Sequence, residues 1–124
     1  MPYLWVYSMR MKGNKSNKYH AVKTSYNGIK YDSKKEARFA QELDLRIKAG
    51  DVKYYERQPS FILQPSYKIG KRTIRDIRYI ADFKIYHNDG RVEIVDCKGM
   101  KTRDYLLKKK IFEYKYPEFR IIEV

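Results

Sequence analysis

The chain has 124 residues, 43% of them hydrophobic, enough for one modest core and too few for a second domain. Lys and Arg number 28 against 15 acids, giving a net charge of +13, and that surplus points to a polyanionic partner. The single cysteine, Cys97, excludes an internal disulfide and a cysteine-built zinc cluster, and implies an intracellular home. No apolar run approaches the roughly 20 residues that span a bilayer, so no membrane partner is expected. The apolar opening, residues 1–8, has its charges after it and no small-residue cleavage site, and is not read as a signal peptide.

Residues 1–31 carry six Lys or Arg and no acid. From residue 9 they show no sustained period, which predicts a flexible or loosely paired basic arm, with Lys12, Lys15 and Lys18 available to nucleic acid. Residues 32–124 are expected to form a single domain. Ser33-Lys-Lys-Glu36 matches a capping box, and the helix it opens runs to a stop at Gly50. Ala40, Leu43 and Ile47 make its apolar stripe, and Glu36 falls on that stripe as well. Glu36 has a plainer role open to it as a capping acid that satisfies a backbone N–H.

Short or edge strands follow at 53–58, 60–64 and 67–69, broken by Pro59, Pro65 and Gly70. Two stronger strands, 79–86 and 91–98, flank His87-Asn-Asp-Gly90 and should pair as an antiparallel hairpin. Thr102 is the expected N-cap of a second helix bearing Tyr105, Leu107, Ile111 and Tyr114 on its apolar side and ended by Pro117, and a strand over 119–124 closes the chain. The result is an α/β protein with a sheet flanked by helices, in the order αβββαβ with extra β structure.

The chemistry concentrates in Tyr79-Ile-Ala-Asp82 and Asp96-Cys97-Lys98. Asp96 and Lys98 leave one face of a strand about 7 Å apart, and the hairpin can return Asp96 beside Asp82. Two converging carboxylates repel unless a cation lies between them, and hard oxygens suit Mg²⁺. Such an ion supplies what phosphodiester hydrolysis needs, and Lys98 would offset charge developing on the phosphorus. The plain alternative, a surface Asp96–Lys98 ion pair contributing about 0–1 kcal/mol, fits poorly after apolar Val92 and Ile94 on the same face. His20 and His87 are the only imidazoles, and His87 sits in a turn, so histidine-centred catalysis is not expected.

These residues resemble the PD-(D/E)XK nuclease superfamily, in which an acid on one strand precedes acid-x-Lys on the next. More narrowly, Tyr31-Asp-Ser-Lys-Lys-Glu-Ala-Arg38, Tyr79-Ile-Ala-Asp82-Phe and Asp96-Cys-Lys-Gly-Met-Lys-Thr102 resemble a small phage-encoded family, similar to Holliday-junction resolvases and transposition endonucleases. The resemblance implies a restriction-endonuclease-like core and a Mg²⁺-dependent endonuclease, with Mn²⁺ able to substitute, acting on branched duplex DNA as a homodimer in the bacterial or phage-infected cytoplasm. It also implies Asp82, Asp96 and the Cys97 backbone carbonyl as metal ligands, Glu36 as a further ligand and Lys98 as the catalytic cation. Lys101, Arg103, Lys108 and Lys109, around the second helix, are expected on DNA phosphates. The competing expectation from another class is a non-catalytic basic nucleic-acid-binding module, which would bind without cleaving.

Overall fold

Residues 23–97 and 101–124 are described by the computed structural model. Lys12, Lys15, Lys18 and Lys98 lie outside the described residues. The chain divides into two units, Met1–Val52 and Lys53–Val124.

In the first unit, β1 (Thr24–Tyr26) and β2 (Ile29–Tyr31) are antiparallel strands joined by Asn27 and Gly28. Both turn residues have positive φ, 52° and 78°, the backbone of a two-residue hairpin turn that Asn-Gly adopts at low steric cost. The last residues of the segment expected as a loose arm therefore form a hairpin, which packs on helix α1 (Lys34–Lys48). Tyr26 and Tyr31 are buried, and the Tyr26 hydroxyl donates to Asp44 of the helix at 2.5 Å. The expected helix face is largely the one that is covered, since Ala37, Ala40 and Leu43 are buried. The helix stops where anticipated: Gly50, at φ 83°, donates to Ile47 O, and Asp51 donates to Arg46 O, the paired bonds of a glycine C-terminal motif.

The second unit holds a four-stranded mixed sheet, with β3 (Val52–Arg57), β8 (Phe83–His87), β9 (Val92–Asp96) and β10 (Ile121–Glu123) in the order β10-β9-β8-β3. β8 and β9 form the expected antiparallel hairpin, with Phe83 opposite Val95 and Tyr86 opposite Val92. β10 returns parallel to β9 after helix α2 (Arg103–Lys115), because parallel neighbours need a crossover element between them. Two further pairs lie between β3 and β8 in the chain: β4 (Ser60–Gln64) with β7 (Ile77–Ile80), and the ribbon β5 (Tyr67–Ile69) with β6 (Arg72–Ile74).

Thr102 caps α2 as expected, its side chain accepting from Tyr105 N at 3.1 Å. The buried face of α2 differs from the expected one. Tyr105 and Phe112 are buried, whereas Leu107 is 59% and Tyr114 89% exposed. At 3.6 residues per turn, positions seven apart stack on one side, while two and nine residues on from Tyr105 the chain points to the far side. Tyr105 and Phe112 join Leu63, Tyr79, Ala81, Ile94 and Ile121 in a core where Phe61 meets Phe112 edge-to-face at 4.8 Å. Among the described residues no helix is long and apolar enough to cross a membrane.

Phe112 is fully buried at the centre of this cluster. Phe112→Ala should cost about 3–5 kcal/mol of unfolding free energy, measured by urea denaturation, whereas Tyr114→Ala, on the exposed side of the same helix, should change it by less than about 0.5 kcal/mol.

Candidate active site

β9 is an interior strand, between β8 and β10, and its C-terminal half is also covered on both faces: Ile94, Val95, Asp96 and Cys97 are buried in succession. Asp96 is 0% exposed. A buried carboxylate must be hydrogen-bonded from within the protein, because the desolvation cost is otherwise several kcal/mol. Tyr79 does this, its hydroxyl donating to Asp96 Oδ2. Burial pushes the Tyr79 phenol far above its ordinary range, and the hydrogen bond and charge of Asp96, with the charges of Tyr105 and Asp82, push the same way. Tyr79 therefore stays protonated and remains a donor.

Asp82 reaches the same place by a break in the chain. The segment 79–86, expected as one strand, is two: β7 ends at Ile80 and β8 begins at Phe83. Ala81 N still donates to Pro59 O at 3.1 Å, on the β4 side, while Asp82 N donates to Val95 O of β9 at 3.1 Å. The Asp82 carbonyl accepts from Gln58 N at 2.9 Å. Asp82 is thus where the chain exchanges one partner strand for another, and its carboxylate accepts from Cys97 N through Oδ2 at 2.6 Å. Continuing the β8–β9 register by one residue sets Asp82 across from Asp96. The structure brings these two predicted residues together, with Tyr79 as a third member.

Two more residues belong to this cluster and were not anticipated. Glu123 is the partner of Asp96 across the parallel β9–β10 pair. Its Oε2 accepts from the Tyr105 hydroxyl at 2.6 Å, and its Oε1 lies 3.1 Å from the Lys101 ammonium and 3.7 Å from that of Lys109. Tyr105 and Lys101 hold the Glu123 carboxyl below its ordinary range. Burial, then Glu123 and the Asp96 charge, push the Tyr105 phenol above its own. The signal for Glu123 was present in the final strand: a parallel return of β10 puts Ile121 and Glu123 on the face of Ile94 and Asp96.

Of the cations expected on phosphate, Lys101 and Lys109 are paired with Glu123, and Lys108 lies 3.6 Å from Asp104 one helical turn back, while Arg103 is exposed. Glu36 is buried in the first turn of α1. Ser33 Oγ accepts from Glu36 N at 3.1 Å, the expected half of a capping box, while the reciprocal bond to Glu36 Oε2 comes from Asp32 N at 3.4 Å, one residue before the N-cap. Glu36 lies in the first unit, and Asp82 and Asp96 in the second. Cys97 is buried and forms no disulfide.

Among the described residues no three His, Cys, Asp or Glu side chains gather into a metal-binding group. The donors present are instead two carboxylates. Such a set fits a hard divalent cation that keeps several of its own waters, as Mg²⁺ does, better than a metal enclosed by protein ligands.

The fold and site define a mixed α/β protein in which a hairpin and a parallel return gather acids and tyrosines at one end of a sheet. Its family follows from sequence comparison. The chain belongs to the family described as "Protein of unknown function (DUF1064)", whose model matches residues 16–124. No curated protein and no solved structure matches it.

Tyr79→Phe keeps the ring and removes the donor to Asp96, so it should destabilise the protein by about 1–3 kcal/mol in chelator-treated buffer, read from the urea midpoint at constant slope. A depressed carboxylate contributes stability above its unfolded value and loses that contribution as pH falls through its folded value. Glu123→Gln should therefore cost a few tenths to about 1 kcal/mol at neutral pH, and in urea titrations at falling pH its difference from the natural chain should close once the pH drops below the ordinary glutamate range.

Proposed function

We propose that this protein is a divalent-metal-dependent endonuclease that hydrolyses phosphodiester bonds in DNA. The observation that carries the reading is the meeting of Asp82 with Asp96-Cys97, where the Asp82 carboxylate bonds the backbone directly after Asp96 and one residue before Lys98 in the chain. This is the acid followed by acid-x-Lys pattern, with its two acids adjacent in space as well as ordered in sequence. The chain order α1, β3, β8, β9, α2, β10, with β4–β7 inserted after β3, also supports a restriction-endonuclease-like αβββαβ core.

On this reading Asp82 and Asp96 hold Mg²⁺, with Mn²⁺ able to replace it, and the Cys97 carbonyl is a further ligand. When bound, the ion supplies Lewis acidity to a phosphoryl oxygen and lowers the pKa of a water. The chain's own groups do the rest. Tyr79 fixes the Asp96 carboxylate by donating to Oδ2, and Cys97 N fixes that of Asp82, so both acids are held in place before substrate arrives. Lys98 supplies a cation opposite the charge that develops on the reacting phosphate. Lys101 and Lys109, held by Glu123 beside Asp96, lower the repulsion a phosphodiester meets on approaching the carboxylates. The resemblance to junction resolvases extends the reading to branched duplexes and a homodimeric enzyme in phage recombination or replication.

Four-way junction, flap, nicked and linear duplexes, incubated with Mg²⁺ at one fixed salt concentration, should be cleaved by the natural chain, the branched ones fastest, and by none of the samples in EDTA. Asp82→Asn, Asp96→Asn and Lys98→Ala should each lower the rate on the order of 10²-fold or more. Full activity in Asp82→Asn protein would remove the site assignment, equal rates on all four substrates would remove the preference for branches, and binding without cleavage by the natural chain would leave a nucleic-acid-binding module.

A further inference from the structure

Between Glu56 and Asp76 the sequence contains Arg57, Lys68, Lys71, Arg72 and Arg75 and no acid. Most of these cations belong to the β5–β6 ribbon and its flanks. Among the described residues β5 and β6 pair only with each other, Tyr67 opposite Ile74, Lys68 opposite Thr73 and Ile69 opposite Arg72, around a tight turn in which Gly70 has φ 60°. Residues 65–73 are exposed without interruption, with Tyr67 at 48% and Ile69 at 54%. A two-stranded ribbon exposed in this way is marginally stable in water, and both its edges offer unpaired backbone groups.

The ribbon's charges differ in kind from those around α2. Lys101, Lys108 and Lys109 have carboxylates within 4 Å. Among the described residues, Lys68, Lys71 and Arg72 have none. Unpaired cations on a projecting element are those whose contact with phosphate releases counterions without first breaking an ion pair. Three residues per strand at about 3.3 Å each make the ribbon about 10 Å long, and the major groove of B-form DNA, about 12 Å wide and 8.5 Å deep, admits a two-stranded ribbon. The deep, narrow major groove of A-form RNA does not.

We infer that the β5–β6 ribbon is a DNA-binding arm that enters the major groove of a B-form duplex, with Lys68, Lys71 and Arg72 on the bordering phosphates and Ile69 near the tip among the base edges. The inference deepens the DNA-directed reading above and rests on it for the identity of the polyanion, but not on hydrolysis. Lysine on an exposed strand also discourages edge-to-edge pairing, and that role requires no DNA.

The test is fluorescence anisotropy with a labelled duplex of about 30 bp, in EDTA so that hydrolysis plays no part, from about 50 to 200 mM salt. Lys68→Ala/Lys71→Ala/Arg72→Ala should fold normally by far-UV circular dichroism, lose at least about tenfold in affinity at the low-salt end, and lower the slope of log K against log salt by about 2–3. A control removing three exposed charges from α1, Lys35→Ala/Arg38→Ala/Lys48→Ala, lowers the net charge equally and should stay within about threefold of the natural chain. An unchanged ribbon variant, or equal losses in the two variants, overturns the arm. Equal affinity of the natural chain for an RNA duplex of the same length overturns groove entry. A ribbon variant that binds DNA normally but sediments as a smaller species reassigns the ribbon to contact between copies and overturns the inference. Cleavage is not read in any of these measurements, so loss of the nuclease reading and loss of the arm are separate results.

Discussion

A carboxylate with no solvent exposure constrains everything around it, because nothing but the protein can solvate it. Asp96 occupies that position at the end of a strand with a neighbour on each side, and its hydrogen bond comes from Tyr79 on a strand of a different sheet. For that bond to form, β7 must lie with β4 and yet end beside β9. The break at Ala81 and Asp82 satisfies both requirements, since one residue bonds back toward Pro59 and the next forward to Val95. The irregular backbone at Asp82 is thus the geometry that lets two small sheets share one polar centre.

The same constraint explains which parts of the structure were legible in the sequence. Local chemistry announced itself: Ser33 and Gly50 bound α1, Thr102 begins α2, Pro59 and Pro65 separate short strands, and Gly90, at φ 93°, closes the β8–β9 turn. These signals act within a few residues of where they are read. Nonlocal pairing left no such mark. The residues 79–86 look like one strand because the change at Asp82 is a change of partner, not of residue type. On α2, Leu107 and Tyr114 are apolar enough to suggest a buried face, but the sheet receives Tyr105 and Phe112, and helical phase forbids all four from facing it together.

Within the site the acids were legible and their supports were not. Asp82 and Asp96 stand out because carboxylates among Ile, Val and Ala need a reason to be there. Tyr79 and Tyr105 do not stand out, since tyrosine in a half-covered strand or helix is ordinarily packing, and only the tertiary position of the hydroxyl reveals a donor. Glu123 was hidden more simply, by the direction of β10. With β10 parallel to β9, Glu123 is the register partner of Asp96.

Charge distribution follows from this arrangement rather than from composition. A surplus of +13 describes the whole chain, but Asp104 of α2 and Glu123 of β10 hold Lys101, Lys108 and Lys109. Those lysines balance carboxylates and so flatten the field around the acidic cluster. The cations of β5 and β6 have no such duty, because no acid lies between Glu56 and Asp76 in sequence and, among the described residues, the ribbon pairs only with itself. On the reading proposed here the two groups of cations therefore divide the work of meeting a polyanion. One group lowers repulsion at the place where a phosphodiester must approach two carboxylates, and the other supplies attraction on an element that contributes nothing to the core. A lysine paired with Glu123 or Asp104 must loosen that pair before it bonds a phosphate, whereas the ribbon cations, with no carboxylate within 4 Å among the described residues, need not.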